Sequence, residues 1–223
     1  MPPVTAQPYD FQFEPAGTAL LLIDFQRDFL EAGGFGESLG NDVSLLQAAL
    51  GPARAVLDAA RNAGLFIIHT REGHRPDLAD LPPSKWRRGD PGMRIGDPGK
   101  LGRLLVRGEA GHAIVDEVAP RAGEPIVDKP GKGAFYGTDL DALLHARSIR
   151  SLIVTGVTTE VCVHTTVREA NDRGYECLVV EDAVASYFPE FQRVALAMIR
   201  AQGGIFGWTA GSAAVVRALA AKL

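Results

Sequence analysis

Ser151-Leu-Ile-Val-Thr-Gly-Val-Thr-Thr-Glu-Val-Cys-Val163 is the stretch on which the fold turns. Residues 151–155 form a short apolar run, the pattern of a buried strand, and the residues from Thr159 to about Gly174 read as a helix. Cys162 stands where the strand gives way to the helix. A thiol there sits in the field of unpaired N–H groups at the helix N-terminus. That field favours thiolate and can lower a cysteine pKa from ~8.5 into the ~3.5–7.5 range. The position suits a nucleophile rather than a disulfide.

The pattern repeats on both sides of this stretch. Upstream, Thr18–Asp24 is a continuous apolar run ending in an acid, as expected of a strand covered on both faces. Leu65–Thr70 and Glu124–Lys129 are further strands; downstream come Glu176–Glu181 and a short last strand, Gly204–Trp208. Helices are expected over Asp42–Ala63 with a break near Gly51-Pro52, then Leu140–Ala146, Glu190–Gln202 and Ser212–Leu223. Strands alternating with helices imply a parallel sheet with helices on both faces. Sites in such sheets gather at the carboxyl ends of strands. Asp24, Lys129 and the turn before Cys162 all fall at such ends.

With 223 residues the chain can bury one large core. We divide it into an N-terminal arm, 1–17, and a single domain, 18–223. A net charge of −4 argues against a nucleic-acid or anionic-membrane surface, and no apolar run is long enough for a membrane span. Two cysteines and no basic-then-apolar leader point to a cytoplasmic protein without a disulfide framework. Residues 71–112 are long, irregular and rich in Gly, Pro and Arg, which marks a functional or partly structured loop.

A carboxylate, an ammonium and a thiol on three strand ends form a working set for acyl transfer from an amide. The aspartate can take the thiol proton and hand it to a leaving amine. Backbone N–H groups at the turn, near Thr158 and Cys162, can hold the oxyanion. Singly, each of these residues has a plainer reading as a core thiol, a cap or a solvated charge; their coincidence at strand ends favours the site. Cys177, mid-strand, reads as core.

Three motifs carry a resemblance to the isochorismatase-like cysteine hydrolases: Leu21-Leu-Ile-Asp-Phe-Gln-Arg-Asp-Phe-Leu30, Asp128-Lys-Pro-Gly-Lys-Gly-Ala-Phe-Tyr-Gly-Thr-Asp139 and Gly156-Val-Thr-Thr-Glu-Val-Cys-Val163. The resemblance implies an α/β, doubly wound three-layer sandwich with a mostly parallel central sheet of Rossmann-like topology. It implies Asp24 as general acid/base, Lys129 as its charge partner and Cys162 as nucleophile. It also implies a cis peptide between Val157 and Thr158 that aims the Thr158 and Cys162 N–H groups at the oxyanion. True isochorismatases lack the cysteine present here. Nicotinamidases carry an Asp-x-His metal motif, where this chain has Arg71-Glu-Gly-His-Arg-Pro-Asp77. Glu72 and His74 mimic a ligand pair, but only an unsupported His112 offers a third, so neither metal nor cofactor is expected.

Thr70–Ser84 and Gly102-Arg-Leu-Leu-Val-Arg-Gly108 look most like the ureide branch, which contains biuret and triuret hydrolases and ureidoacrylate amidohydrolases. Similarity to biuret hydrolases places Phe29 and Gln202 in the pocket with Glu72 near it. Phe35 and Tyr187 are further candidates for its walls. Gln202 offers both a donor and an acceptor to a flat polar ureide, and Glu72 accepts N–H groups. The expected reaction is hydrolysis of biuret or triuret to a carboxylated product and ammonia through a thioester. The alternatives are a ureidoacrylate or carbamoyl amide and, in a different class, a thiol redox protein. A homo-oligomer is expected, tetramer before dimer, with the arm and the long loop as interface parts.

Overall fold

The computed structural model describes residues 2–221. Six strands form the central sheet: β1 (Thr18–Ile23), β2 (Phe66–Glu72), β3 (Ile126–Lys129), β4 (Ser151–Val157), β5 (Glu176–Ala185) and β6 (Trp208–Ala210). Their spatial order is β3-β2-β1-β4-β5-β6, and every neighbouring pair is parallel. The five longer helices are α1 (Leu50–Asn62), α2 (Leu140–Ala146), α3 (His164–Asp172), α4 (Pro189–Gly204) and α5 (Ser212–Ala220). This is the doubly wound three-layer α/β architecture expected from the sequence.

β1 shows why the layers form. All six of its residues are buried. Because side chains alternate across a strand, Leu20 and Leu22 enter one core while Ala19, Leu21 and Ile23 enter the other. The first core packs α1 through Val56, Leu57 and Ala60 and α5 through Val215 and Leu219. The second packs α2 through Leu140 and Leu144, α3 through Val167 and Ala170, and α4 through Leu196 and Ile199.

Boundaries moved where turn chemistry intervened. The helix expected over Asp42–Ala63 is a short turn, Ser44–Gln47, followed by α1, with Gly51 and Pro52 inside the first turn of α1. Proline is tolerated there because first-turn N–H groups have no intrahelical acceptor. The last strand is Trp208–Ala210 rather than Gly204–Trp208, because Gln202, Gly203 and Gly204 all take left-handed φ values that no strand accommodates. The end of the helix expected to run to Leu223 lies outside the described residues. Residues 4–11 fold against the β6 edge through a Gln7–Thr209 bridge, with Phe11 packed on Trp208.

Gly156 is required by its surroundings. It has φ +132 beside β1, and a Cβ there would collide with the Ile23 carbonyl. Strand β4 therefore approaches β1 closely where it delivers the turn to Cys162.

At the opposite edge of the sheet, Arg61 of α1 holds Glu124, just before β3, through two hydrogen bonds of 2.8 Å, and His69 of β2 sits 3.2 Å from the same carboxylate. Burial alone would raise Glu124, but hydrogen bonds from Arg61, the Arg121 backbone and His69 outweigh it and hold its pKa at about 2. A depressed carboxylate contributes stability that is complete above its unfolded pKa and fades as pH falls through the folded one. Thermal melting from pH 6 to pH 2.5 is expected to show a loss beginning near pH ~4.5 that Glu124→Gln makes shallower. Identical acid slopes for wild type and variant would remove Glu124 from the acid response.

Candidate active site

The residues predicted at strand ends do meet. Asp24 follows β1 with a left-handed φ of +53, a conformation that costs about 1–3 kcal/mol for a non-glycine residue and is retained where surroundings impose it. Its carboxylate accepts a hydrogen bond from Thr70 Oγ1 at 2.6 Å and lies 2.7 Å from Lys129 Nζ. Lys129 ends β3. Its ammonium also donates to the Gly131 and Lys132 carbonyls at 2.9 and 3.0 Å. Cys162 lies in one π-type turn, Thr159–Val163, that leads into α3. The peptide between Val157 and Thr158 is cis.

Glu72 has a larger place than the sequence suggested. It ends β2, is fully buried, and lies 2.6 Å from Lys132 Nζ and 3.7 Å from Lys129 Nζ. The Cys162 thiol donates to it at 3.4 Å. Gln26, buried, clasps the backbone at this point: it accepts from Glu72 N at 2.6 Å and donates to Glu72 O at 2.9 Å. Asp28 accepts from the backbone N–H groups of Leu105 and Phe35. Gln26 and Asp28 thereby tie the long 71–112 segment to the end of β1. Lys132, Gln26 and Asp28 were not singled out from sequence, although all three stand inside the motifs quoted above.

The charges set the resting protonation. Burial is the largest influence on Glu72 and would raise it, but Lys129, Lys132 and Lys85 overcome that and hold its pKa at about 2. Burial raises Asp24 above the ordinary carboxylate value, and Lys129 only partly offsets it. Burial lowers Lys129, but Asp24, Cys162 and Glu72 together push it above its ordinary value, so it stays charged. Cys162 departs from expectation. Burial drives its thiol well upward; Lys129 and Lys132 favour the thiolate, the Asp24 and Glu72 charges oppose it, and burial prevails. The resting sulfur is a thiol, not the thiolate expected from the helix N-terminus alone, because a fully buried anion beside two carboxylates is unfavourable.

A cavity of about 210 Å³ opens onto the sulfur. Phe29, Phe35, Glu72, Thr158, Cys162 and Tyr187 line it, joined by Asn41, Glu160 and Phe188, which sequence reasoning missed. The Tyr187 hydroxyl donates to the Phe29 carbonyl at 2.7 Å, so it fixes the wall. Gln202 is a correction. It is exposed, with φ +52 in the kink that ends α4, and does not line the cavity. Helix α4 begins beside the cavity and runs back across the sheet at about 1.5 Å per residue, which carries Gln202 away from the sulfur.

His74 does not join Glu72 in a metal pair. Its ring faces Asp80 at 3.3 Å and Lys85 at 3.4 Å. Asp24, Glu72 and Cys162 do place donor atoms within 4.8 Å of one another. The cation among them is the chain's own Lys129 ammonium. Cys177 lies at the amino end of β5, opposite Leu152, whereas Cys162 follows the carboxyl end of β4. It therefore cannot resolve an oxidised Cys162 without unfolding, which disfavours the redox alternative.

Comparison with known proteins agrees with this geometry. Residues 18–210 match the isochorismatase domain family. Ureidoacrylate amidohydrolase RutB of Stutzerimonas stutzeri is 34% identical over 221 residues, spanning 97% of this chain and 88% of that protein. A cysteine hydrolase from Pseudomonas syringae pv. phaseolicola superposes with TM-score 0.79 at 27% identity, covering 98% of this chain and 97% of that one. N-carbamoylsarcosine amidase from Thermoplasma acidophilum superposes with TM-score 0.65 at 27% identity, over 87% of this chain and 96% of its own. No helix among the described residues is long and apolar enough to cross a membrane.

Proposed function

Since the chain belongs to the isochorismatase family of hydrolases, we propose that it is a cysteine-dependent amidohydrolase that cleaves a linear ureide, biuret or triuret, with release of ammonia. The observation that carries the reading is a thiol at the foot of a cavity, 3.4 Å from a carboxylate and beside a buried lysine that pairs with both Asp24 and Glu72. Cys162 attacks a terminal carbonyl as its proton passes to a neighbouring carboxylate, Asp24 in this reading, and a tetrahedral oxyanion forms. Thr158 and Cys162 N–H groups hold that oxyanion; one such donor contributes about 2.7–4 kcal/mol in the transition state. The C–N bond breaks as Asp24 returns the proton to departing ammonia. Water, deprotonated by Asp24, then cleaves the thioester and restores the thiol. Lys129 keeps the nearby carboxylates compatible with a transient sulfur anion, and Glu72 holds the thiol until substrate arrives.

A second reading, a ureidoacrylate or another carbamoyl amide, is favoured by the 34% identity to a ureidoacrylate amidohydrolase. Ammonia release from biuret, triuret, ureidoacrylate, nicotinamide and carbamoylated amino acids tests both. A ureide or carbamoyl compound is expected to exceed nicotinamide by orders of magnitude, with a chelator leaving the rate unchanged. Nicotinamide turnover lost on chelation would overturn the assignment.

A further inference from the structure

Among the described residues, the charged side chains lining the active-site cavity are Glu72, Lys132 and Glu160. The first two neutralise each other, with Lys132 Nζ 2.6 Å from Glu72 Oε1. Glu160 is left over. Its Oε2 is buried and has no hydrogen-bond partner among the described residues. A buried carboxylate oxygen without a donor is costly, and a ligand N–H entering the cavity relieves that cost.

The position of Glu160 is fixed by its neighbours. It stands two residues before Cys162 in the π-type turn Thr159–Val163. The Thr159 hydroxyl, buried, donates to Gln192 Oε1, and Gln192 Nε2 donates to the Glu181 and Val184 carbonyls at 3.2 and 2.9 Å. The turn that delivers the sulfur therefore also delivers a carboxylate to the wall. Its polar neighbours in the cavity are acceptors as well. The Tyr187 hydroxyl proton is spent on the Phe29 carbonyl. Asn41 donates to the Gly36 carbonyl at 3.1 Å, which fixes the amide and leaves its own oxygen to accept.

A substrate with its terminal carbonyl at the Cys162 sulfur lays the rest of itself against these walls. An amide or carbamoyl N–H placed there is accepted by Glu160. A carboxylate placed there meets a like charge in a cavity that water screens poorly. Building on the ureide reading above, we propose that Glu160 determines specificity: it confines turnover to uncharged ureides with N–H groups beyond the attacked carbonyl and excludes carbamoyl compounds that end in a carboxylate. Biuret and triuret fall in the first class, ureidoacrylate in the second.

N-carbamoylglycinamide and N-carbamoylglycine test this, because they share a skeleton and differ in a carboxamide against a carboxylate. Their kcat and KM are measured at neutral pH with biuret as reference; where neither is cleaved, their inhibition constants against biuret give the same ratio. The wild type is expected to prefer the amide by about 100-fold or more, chiefly through KM. Glu160→Gln is expected to reduce that preference by about tenfold or more, and Glu160→Arg to reverse it. Glu160→Asp keeps the charge and is expected to keep the preference. Partial misfolding lowers both rates alike and leaves the ratio unmoved. A wild type that takes the carboxylate as well as the amide overturns the proposal, as does a Glu160→Gln ratio equal to that of the wild type. If biuret is cleaved in either of those cases, the ureide reading survives without the inference. A wild type that cleaves neither biuret nor the pair overturns both.

Discussion

Cys162→Ala is expected to lower ammonia release from the preferred ureide by about 10⁴–10⁶-fold, the scale seen when a nucleophile is removed from a set that works as a unit. The loss should fall on kcat. The cavity walls at Phe29, Phe35 and Phe188 remain, so substrate still binds. The fold is expected to survive, because the change removes one sulfur from a core held mainly by aliphatic side chains in the second cluster. Cys162→Ser should be nearly as inactive. A hydroxyl is harder to ionise than a thiol, and this site already raises the sulfur's pKa through burial and two neighbouring carboxylates. Acid quenching of wild type during turnover is expected to trap an acyl adduct at Cys162, seen by mass spectrometry. Undiminished turnover in Cys162→Ala would end the thioester mechanism.

Lys129→Met is expected to be the most damaging substitution to stability. The ammonium is fully buried, 2.7 Å from Asp24 and 3.7 Å from Glu72, and it donates to two carbonyls. Removing one member of a buried charge pair typically costs about 3–5 kcal/mol, since the partner is left charged and unsolvated. Here two carboxylates lose their shared cation. The pH response gives the signature. Burial already raises Asp24 above its unfolded value, and loss of Lys129 raises it further. A group whose folded pKa is raised favours folding below its unfolded pKa, and that contribution disappears as pH rises through the folded value. Urea unfolding of Lys129→Met is therefore expected to show stability increasing from pH 7 toward pH 5. Double replacement with Asp24→Asn should restore part of the loss but no activity. A variant as stable as wild type at pH 7 would mean that the cluster is not charged as described.

The same cluster shows where sequence reasoning succeeded and where it stopped. Asp24, Lys129 and Cys162 were legible because each ends an apolar run, and parallel sheets align such ends on one edge. Glu72 ends β2 by the same logic, yet the strand was expected to stop at Thr70, and the resemblance to biuret hydrolases placed Glu72 near the substrate. Two further residues pair with β3 and bring its carboxylate level with Lys129. The protonation of Cys162 was not legible at all. A helix N-terminus is visible in a pattern of residues, whereas complete burial beside two acids is not. Gln202 failed for a related reason: its chemistry suited a ureide, but helix length and direction decide where a side chain ends up.

By itself the order of residues determined the alternation of strands and helices, the doubly wound sheet and the three strand-end residues of the site. These depend on local periodicity and on rules that any parallel sheet obeys. Only the tertiary structure decided that Glu72 holds the thiol, that Lys132 joins the charge network and that Gln202 is remote. Those outcomes depend on distances and burial between segments far apart in the chain, where electrostatic balance and packing are set by neighbours that no local pattern encodes.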